Sequence, residues 1–196
     1  MFFVKDHVDK RAESFTQERE KKMIKMIETP RSIIRVPDQG DLEILYSIHS
    51  DPLANIYNPG WTETNREEFK RFFDTVIAHH KQHGFGYYVL VDKEDHKVFG
   101  LCGLRYTSIN DTKYLNLYYR IDPLKTRRGF VKEAAREIID LVLKRSGHKY
   151  RVVALTSEDN VPSRKTAESL GLKYDPRLDH LGGEGNVYYF SETPIV

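Results

Sequence analysis

Two arginines and a glycine, Arg127-Arg128-Gly129, stand between a stretch that reads as a strand and one that reads as a helix. A turn feeding a helix N-terminus leaves the first backbone N–H groups without intrahelical partners, all pointing out of the helix end. The helix dipole adds partial positive charge there, worth about 0.3–1 kcal/mol to an exposed anion. Gly129 lets the backbone come close to a ligand, and the arginines add full charge. That combination suits the holding of a phosphate-bearing ligand. A plain basic loop ahead of an ordinary helix would carry the same residues. The stretch is not a P-loop, because no Gly-Lys-Ser/Thr follows, and with one glycine it is not a dinucleotide fingerprint.

Other residues with chemical potential argue for structure. His79 and His83 lie at i, i+4 and could share a metal, but no glutamate follows in the zinc-protease pattern, and positive side chains are favoured at a helix C-terminus. No metal site is expected. Cys102, the only cysteine, excludes disulfides within the chain; between Leu101 and Gly103 it reads as a buried thiol, not a nucleophile.

The elements that must position the turn follow from periodicity. Leu117 to Ile121 is aromatic and aliphatic enough for a strand, continuous with Lys113 onward, and Asp122-Pro123 ends it. Beyond the turn, Val131, Ala134, Ala135, Ile138, Ile139 and Val142 recur at helical spacing as far as Gly147. Upstream, residues 31–36 read as a strand and residues 41–48 as a helix. Residues 51–62 form an aromatic, turn-rich connection, and the capping-box match Thr64-x-x-Glu67 opens a helix to about His83. Residues 86–91 and 98–106 read as a hairpin. Downstream, Tyr150 to Leu155 reads as a strand. Asn160 then caps a helix with Pro162 in its first turn and Gly171 at its end. Strands near Lys173 and at Asn186 to Phe190 bracket the loop 175–185. One mixed α/β domain over 30–196 is predicted. Residues 1–29 read as an N-terminal extension with a charged helix from 5 to about 28. That arm is either a docking or dimerisation element, which would make a homodimer, or a solvated helix lying on its own domain; the thin apolar stripe favours the second.

Composition narrows the function. In 196 residues, 39% hydrophobic and 12% aromatic, there is enough apolar material for a real core. Net charge is +2, from 31 basic and 29 acidic side chains, whereas dedicated nucleic-acid binders carry a strong basic excess. No segment approaches the roughly 20 apolar residues that span a bilayer. The expectation is a cytoplasmic protein that binds neither nucleic acid nor membrane.

Taken in order, these residues resemble the GNAT N-acetyltransferases, and within them the ribosomal-protein N-terminal acetyltransferase (RimJ/RimL-like) branch. The family's loop Arg/Gln-x-x-Gly-x-Gly/Ala is matched by Thr126-Arg-Arg-Gly129-Phe-Val131, with Thr126 and Val131 departing from it. Lys132-Glu-Ala-Ala135 resembles the branch's Thr-Glu-Ala; Asn160-x-x-Ser163 with Leu170-Gly-Leu172 resembles its Asn-x-x-Ser…Leu-Gly-Phe; Arg31-Ser-Ile-Ile-Arg35 resembles its opening strand. The likeness runs over roughly residues 30–192.

The resemblance implies a mostly antiparallel mixed sheet flanked by helices, acetyl-CoA as cosubstrate, and an amine acceptor. It places the CoA pyrophosphate on the amides of Arg127, Arg128, Gly129, Phe130 and Val131, and the pantetheine along a splayed strand edge at Tyr119, Arg120 and Ile121. Asn160 and Ser163 would flank the thioester, with Arg164 reaching a phosphate. Val131, bulkier than the family's Gly or Ala, is expected to weaken phosphate binding at worst. The acceptor cleft would be bordered by Tyr57 and Trp61 on one side and His180 and Glu184 on the other, with Asp175 and Asp179 adding negative charge. Asn116 stands where many relatives carry a glutamate base, and Ala167 where others carry a tyrosine acid. Ser163 is left as the candidate near the thiolate, or else as a residue that only serves its helix turn. Three functions stay open: an N-acetyltransferase, a non-catalytic acyl-CoA sensor, and an interaction protein.

Overall fold

The computed structural model describes residues 26–62, 64–181 and 185–192. Among these residues eight strands form one sheet in the order β1-β2-β3-β4-β5-β6-β8-β7: Met26–Glu28, Ser32–Arg35, Tyr87–Asp92, Val98–Ile109, Thr112–Ile121, Val152–Ser157, Lys173–Tyr174 and Asn186–Phe190 for β1 to β8. All neighbours run antiparallel except β5 and β6, which are parallel. Parallel neighbours need a crossover, and it is supplied by helix α3 (Phe130–Arg145). Helices α1 (Leu42–Ser50) and α2 (Arg66–His83) cover one face, while α3 and α4 (Val161–Ser169) cover the other.

Two cores result. Under α3, Ala134, Ala135, Ile138 and Val142 meet Cys102, Leu104, Leu115 and Leu117. Under α1 and α2, Leu45, Phe69, Phe73 and Val76 meet Tyr87, Val89 and Leu101. Strand alternation therefore sends the odd residues of β5 toward α3 and α4 and the even ones toward α1 and α2.

Among the described residues the expected elements are present with three differences. Residues 1–25, where most of the charged helix was expected, lie outside the described residues. Met26–Glu28, expected at the end of that helix, is an edge strand paired with β2, with Ile27 buried in the core. Helix α2 opens one residue later than Thr64: Asn65 Oδ1 accepts from Glu68 N (2.9 Å) and Glu68 Oε2 accepts from Asn65 N (3.1 Å). Asparagine exceeds threonine as a cap. Finally, β4 runs on to Ile109, because ten successive residues of β5 pair with it.

His79 and His80 hold the end of α2 to the sheet. His79 Nδ1 donates to Phe85 O (2.8 Å) and its Nε2 accepts from Tyr106 N (3.2 Å); His80 Nε2 donates to Tyr87 O (2.9 Å). Cys102 is fully buried, which pushes its thiol up to about 12, as befits a core residue.

Candidate active site

Strands β5 and β6 pair only at Leu115 with Val152 and Asn116 with Val153. Beyond that point β5 continues to Ile121 on β4, β6 continues to Ser157 on β8, and the two part. Leu115 N donates to Arg151 O (2.9 Å), so the backbone groups of odd residues face β6. Those of Leu117, Tyr119 and Ile121 consequently look into the wedge between the strands. A narrow ligand with amide groups can take the place of the missing strand there.

The wedge leads to the turn at the head of α3. Arg127 and Gly129 both adopt left-handed conformations, φ 58° and 80°. Such backbone is costly for arginine, and strain of this kind concentrates at ligand sites. Gly129 occupies the N-cap position without any side-chain cap. Asn65 and Asn160, by contrast, cap α2 and α4 through their side chains. The first-turn amides of α3 thus receive no side-chain cap from the N-cap residue. Arg127 and Arg128 are exposed beside them. The side chains of Phe130 and Val131 turn inward: the Phe130 ring is buried against Phe99, and Val131 packs partly on the core.

At the far end of the wedge, Ser163 lies in the first turn of α4. Asn160 Oδ1 accepts from Ser163 N (3.1 Å), so Asn160 supplies the cap and the serine hydroxyl is free for another role. That hydroxyl lies 2.8 Å from the Tyr119 hydroxyl, a pair spanning the two walls of the wedge. Burial, offset in part by Ser163, raises the Tyr119 pKa, so the phenol stays protonated. Tyr119 was expected to act through its backbone; its hydroxyl was not legible, because the contact joins residues 44 apart. Arg164 Nε donates to Tyr189 Oη (2.9 Å) and Nη1 to Glu158 O (3.1 Å), which directs the guanidinium toward β6 and β8.

On the opposite face, Asn116 Nδ2 donates to the Tyr87 hydroxyl (3.2 Å). Tyr118 stacks on Tyr87, and its hydroxyl meets His49 Nε2 (2.9 Å). Arg120 is buried, and its Nη1 donates to Ala54 O (3.1 Å), holding the 3-10 turn Pro52–Asn55 onto the sheet. Asn55 Nδ2 fastens the same turn to His49 O (2.6 Å) and Asp51 O (2.8 Å). Tyr57 follows, 38% exposed, with Leu53 and Ile56 more so. Trp61 lies in the turn Pro59–Trp61 and His180 in the turn Pro176–Leu181. Glu184 is outside the described residues. The acidic loop is less negative than its composition suggests. Arg177 forks onto Asp175 (2.8 and 2.7 Å) and holds that carboxyl below the usual range, while Asp179 accepts from the Tyr174 hydroxyl. Among the described residues no three His, Cys, Asp or Glu side chains gather as metal ligands, and no helix is long and apolar enough to cross a membrane.

A sheet that opens beside an uncapped, basic helix N-terminus defines a protein built to hold an extended, phosphate-bearing ligand. The model of the acetyltransferase (GNAT) domain matches residues 31–173, and the chain belongs to that family. Its cosubstrate is acetyl-CoA. The fold is shared with an acetyltransferase from Agrobacterium tumefaciens, 19% identical, TM-score 0.73, covering 86% of this chain and 95% of that one. It is also shared with RimL, a ribosomal L7/L12 α-N-protein acetyltransferase solved with coenzyme A, 18% identical, TM-score 0.65, covering 85% and 97%. A third is the ribosomal-protein-S5-alanine acetyltransferase of Vibrio fischeri, 18% identical, TM-score 0.62, covering 86% and 96%.

Proposed function

We propose that this acetyltransferase moves the acetyl group of acetyl-CoA directly to an α-amine, such as a peptide N-terminus. Acetyl-CoA supplies an activated thioester. The amides of Arg127 to Val131 bind its pyrophosphate and the odd-residue edge of β5 pairs with its pantetheine. As the neutral amine nitrogen bonds to the acetyl carbon and the C–S bond breaks, the Ser163–Tyr119 hydroxyl pair gives a proton to the departing thiolate. The proton lost by the nitrogen passes to water, which restores the pair. Arg120 and Asn55 fix the 52–55 turn as one wall of the acceptor cleft, which leads on to Tyr57 and the turn Pro59–Trp61; the turn Pro176–Leu181 borders the other side.

One observation carries the acceptor class. Asn116, which the resemblance puts where many relatives carry a glutamate base, is bonded to the Tyr87 phenol, whose pKa burial raises. Neither group accepts a proton near neutrality. A lysine amine is only about 0.04% neutral at pH 7, an α-amine near 7.8 roughly 14%. A site without a strong base suits the second. The names of the ribosomal-protein neighbours, which specify α-N or alanine acetylation, support the same reading.

The test is calorimetric titration with acetyl-CoA, alongside Arg128→Glu, followed by thiol-release assays at pH 7. Peptides with a free N-terminus should turn over faster than N-blocked peptides bearing lysine. A preference for lysine would overturn the acceptor assignment. A sensor, the reading that Asn116 and Ala167 motivate, would instead bind acetyl-CoA without turnover on any amine.

A further inference from the structure

Arg31, just ahead of β2 and 97 residues from Arg128, touches the turn. Its Nη1 donates to Arg128 O (2.7 Å). Its Nε donates to Glu133 Oε2 (2.8 Å), Nη2 lies 2.7 Å from the same oxygen, and its backbone N donates to Glu133 Oε1 (3.0 Å). The guanidinium lies over the Phe130 ring, 4.5 Å from its centroid. A Cβ on Gly129 would meet Arg31 Nη2 at 3.4 Å, so the guanidinium backs directly onto the turn. Burial raises the Glu133 pKa, but bonds from Thr29 and Arg31 outweigh it and hold the carboxyl below its ordinary value. The pair is therefore charged and internally compensated.

We propose that Arg31, locked by Glu133, is a positioning residue that sets the orientation of the Arg128–Gly129 peptide for CoA. The peptide is trans, and in a trans peptide the C=O and the following N–H point in opposite directions. Holding Arg128 O on the guanidinium turns the Gly129 N–H toward the opposite side, where the pyrophosphate binds. The turn needs such a device. With Arg127 and Gly129 left-handed on either side, a rotation of this peptide would aim a carbonyl oxygen at the phosphates in place of a donor. Because Glu133 neutralises Arg31, the contribution is geometric, not a further cation for the ligand. This inference rests on the CoA reading above.

The experiment compares CoA and pantetheine, which lacks the pyrophosphate, on the full chain. Calorimetry gives the CoA Kd, and amide shifts on titration give the pantetheine Kd. Arg31→Ala and Glu133→Gln should each raise the CoA Kd by about tenfold or more. Arg31→Lys, which keeps the charge but not the fork, should recover only part. The pantetheine Kd should change by less than about threefold, a split that a general loss of structure would not produce. The Gly129 amide resonance, shifted by CoA in the wild type, should lose that response in Arg31→Ala. CoA binding within about twofold of wild type in both variants, or equal weakening toward both ligands, overturns the inference. If the wild type itself binds no CoA, the underlying function fails instead, and the two results are distinguishable.

Discussion

Acidification from pH 7 to pH 5 should strongly destabilise this fold through three histidines. His49 is 1% exposed; its Nδ1 donates to Leu45 O (2.7 Å), and burial takes its pKa down to about 3. His80 and His79, bound to the carbonyls of Tyr87 and Phe85, are each taken down to about 4 by burial. In the unfolded chain each titrates near 6.5. The folded values lie below the unfolded ones, so the unfolded chain takes up protons first. Stability is complete above about 6.5 and falls as pH drops toward the folded values. At pH 5 the linkage costs about 2 kcal/mol for each of His49 and His80, and about half that for the less enclosed His79. The sum, about 5 kcal/mol, rivals the whole stability of an ordinary domain, about 5–15 kcal/mol. Asp92 and Glu133, whose pKa values are lowered, lose their contribution only below the usual carboxylate range and leave this window clear. Urea denaturation of the ligand-free chain at pH 7, 6 and 5, followed by circular dichroism, reads the effect. The midpoint should fall steeply between the last two. A midpoint at pH 5 equal to that at pH 7 would refute the reasoning, because it would mean that these rings accept protons inside the fold.

Three further outcomes are expected. Ser163→Ala and Tyr119→Phe should each lower kcat by about 10–100-fold while CoA affinity stays within about threefold, measured by thiol release and calorimetry; equal losses in both would make the pair structural. Asn116→Glu places a carboxylate beside the Tyr87 phenol and should raise kcat/KM for lysine peptides relative to α-amine peptides by about tenfold, and an unchanged ratio would remove this position from the chemistry. Gly103→Ala should cost about 3 kcal/mol or more, seen as a lowered Tm, because its Cβ would stand 2.1 Å from Gly86 O, and backbone in a paired strand cannot retreat.

Where function was legible, it was local. The strand, the turn and the helix around Arg127-Arg128-Gly129 all follow from residues within a few positions of one another, and so does the Asn160 cap. Misreadings arose where tertiary pairing overrode local pattern, as in Met26–Glu28, whose neighbours resemble a charged helix until β2 offers a ladder. Contacts across long stretches of chain stayed hidden. Nothing in the spacing of Arg31 and Glu133 announces a fork 102 residues apart, and the partnership of Tyr119 with Ser163 depends on how far β5 and α4 diverge. Charge was over-read for the same reason: Asp175 looks free in sequence, yet Arg177 folds back onto it.

The parting of β5 from β6 also bears on how the molecule comes undone. Among the described residues, two paired positions are the only ladder between a five-strand leaf, β1 to β5, and a three-strand leaf, β6, β8 and β7. Such a seam is where cooperativity is weakest, so the smaller leaf with α4 should exchange its amide hydrogens through partial openings that leave the larger leaf closed. A ligand lying in the wedge becomes a ninth strand in all but covalent linkage. At a hundredfold excess over its Kd it adds about 2.7 kcal/mol and joins the leaves into one unfolding unit. On the proposed placement of the pantetheine, the cosubstrate is a structural member of the sheet as well as a reagent, and the enzyme between turnovers is a looser protein than the loaded one.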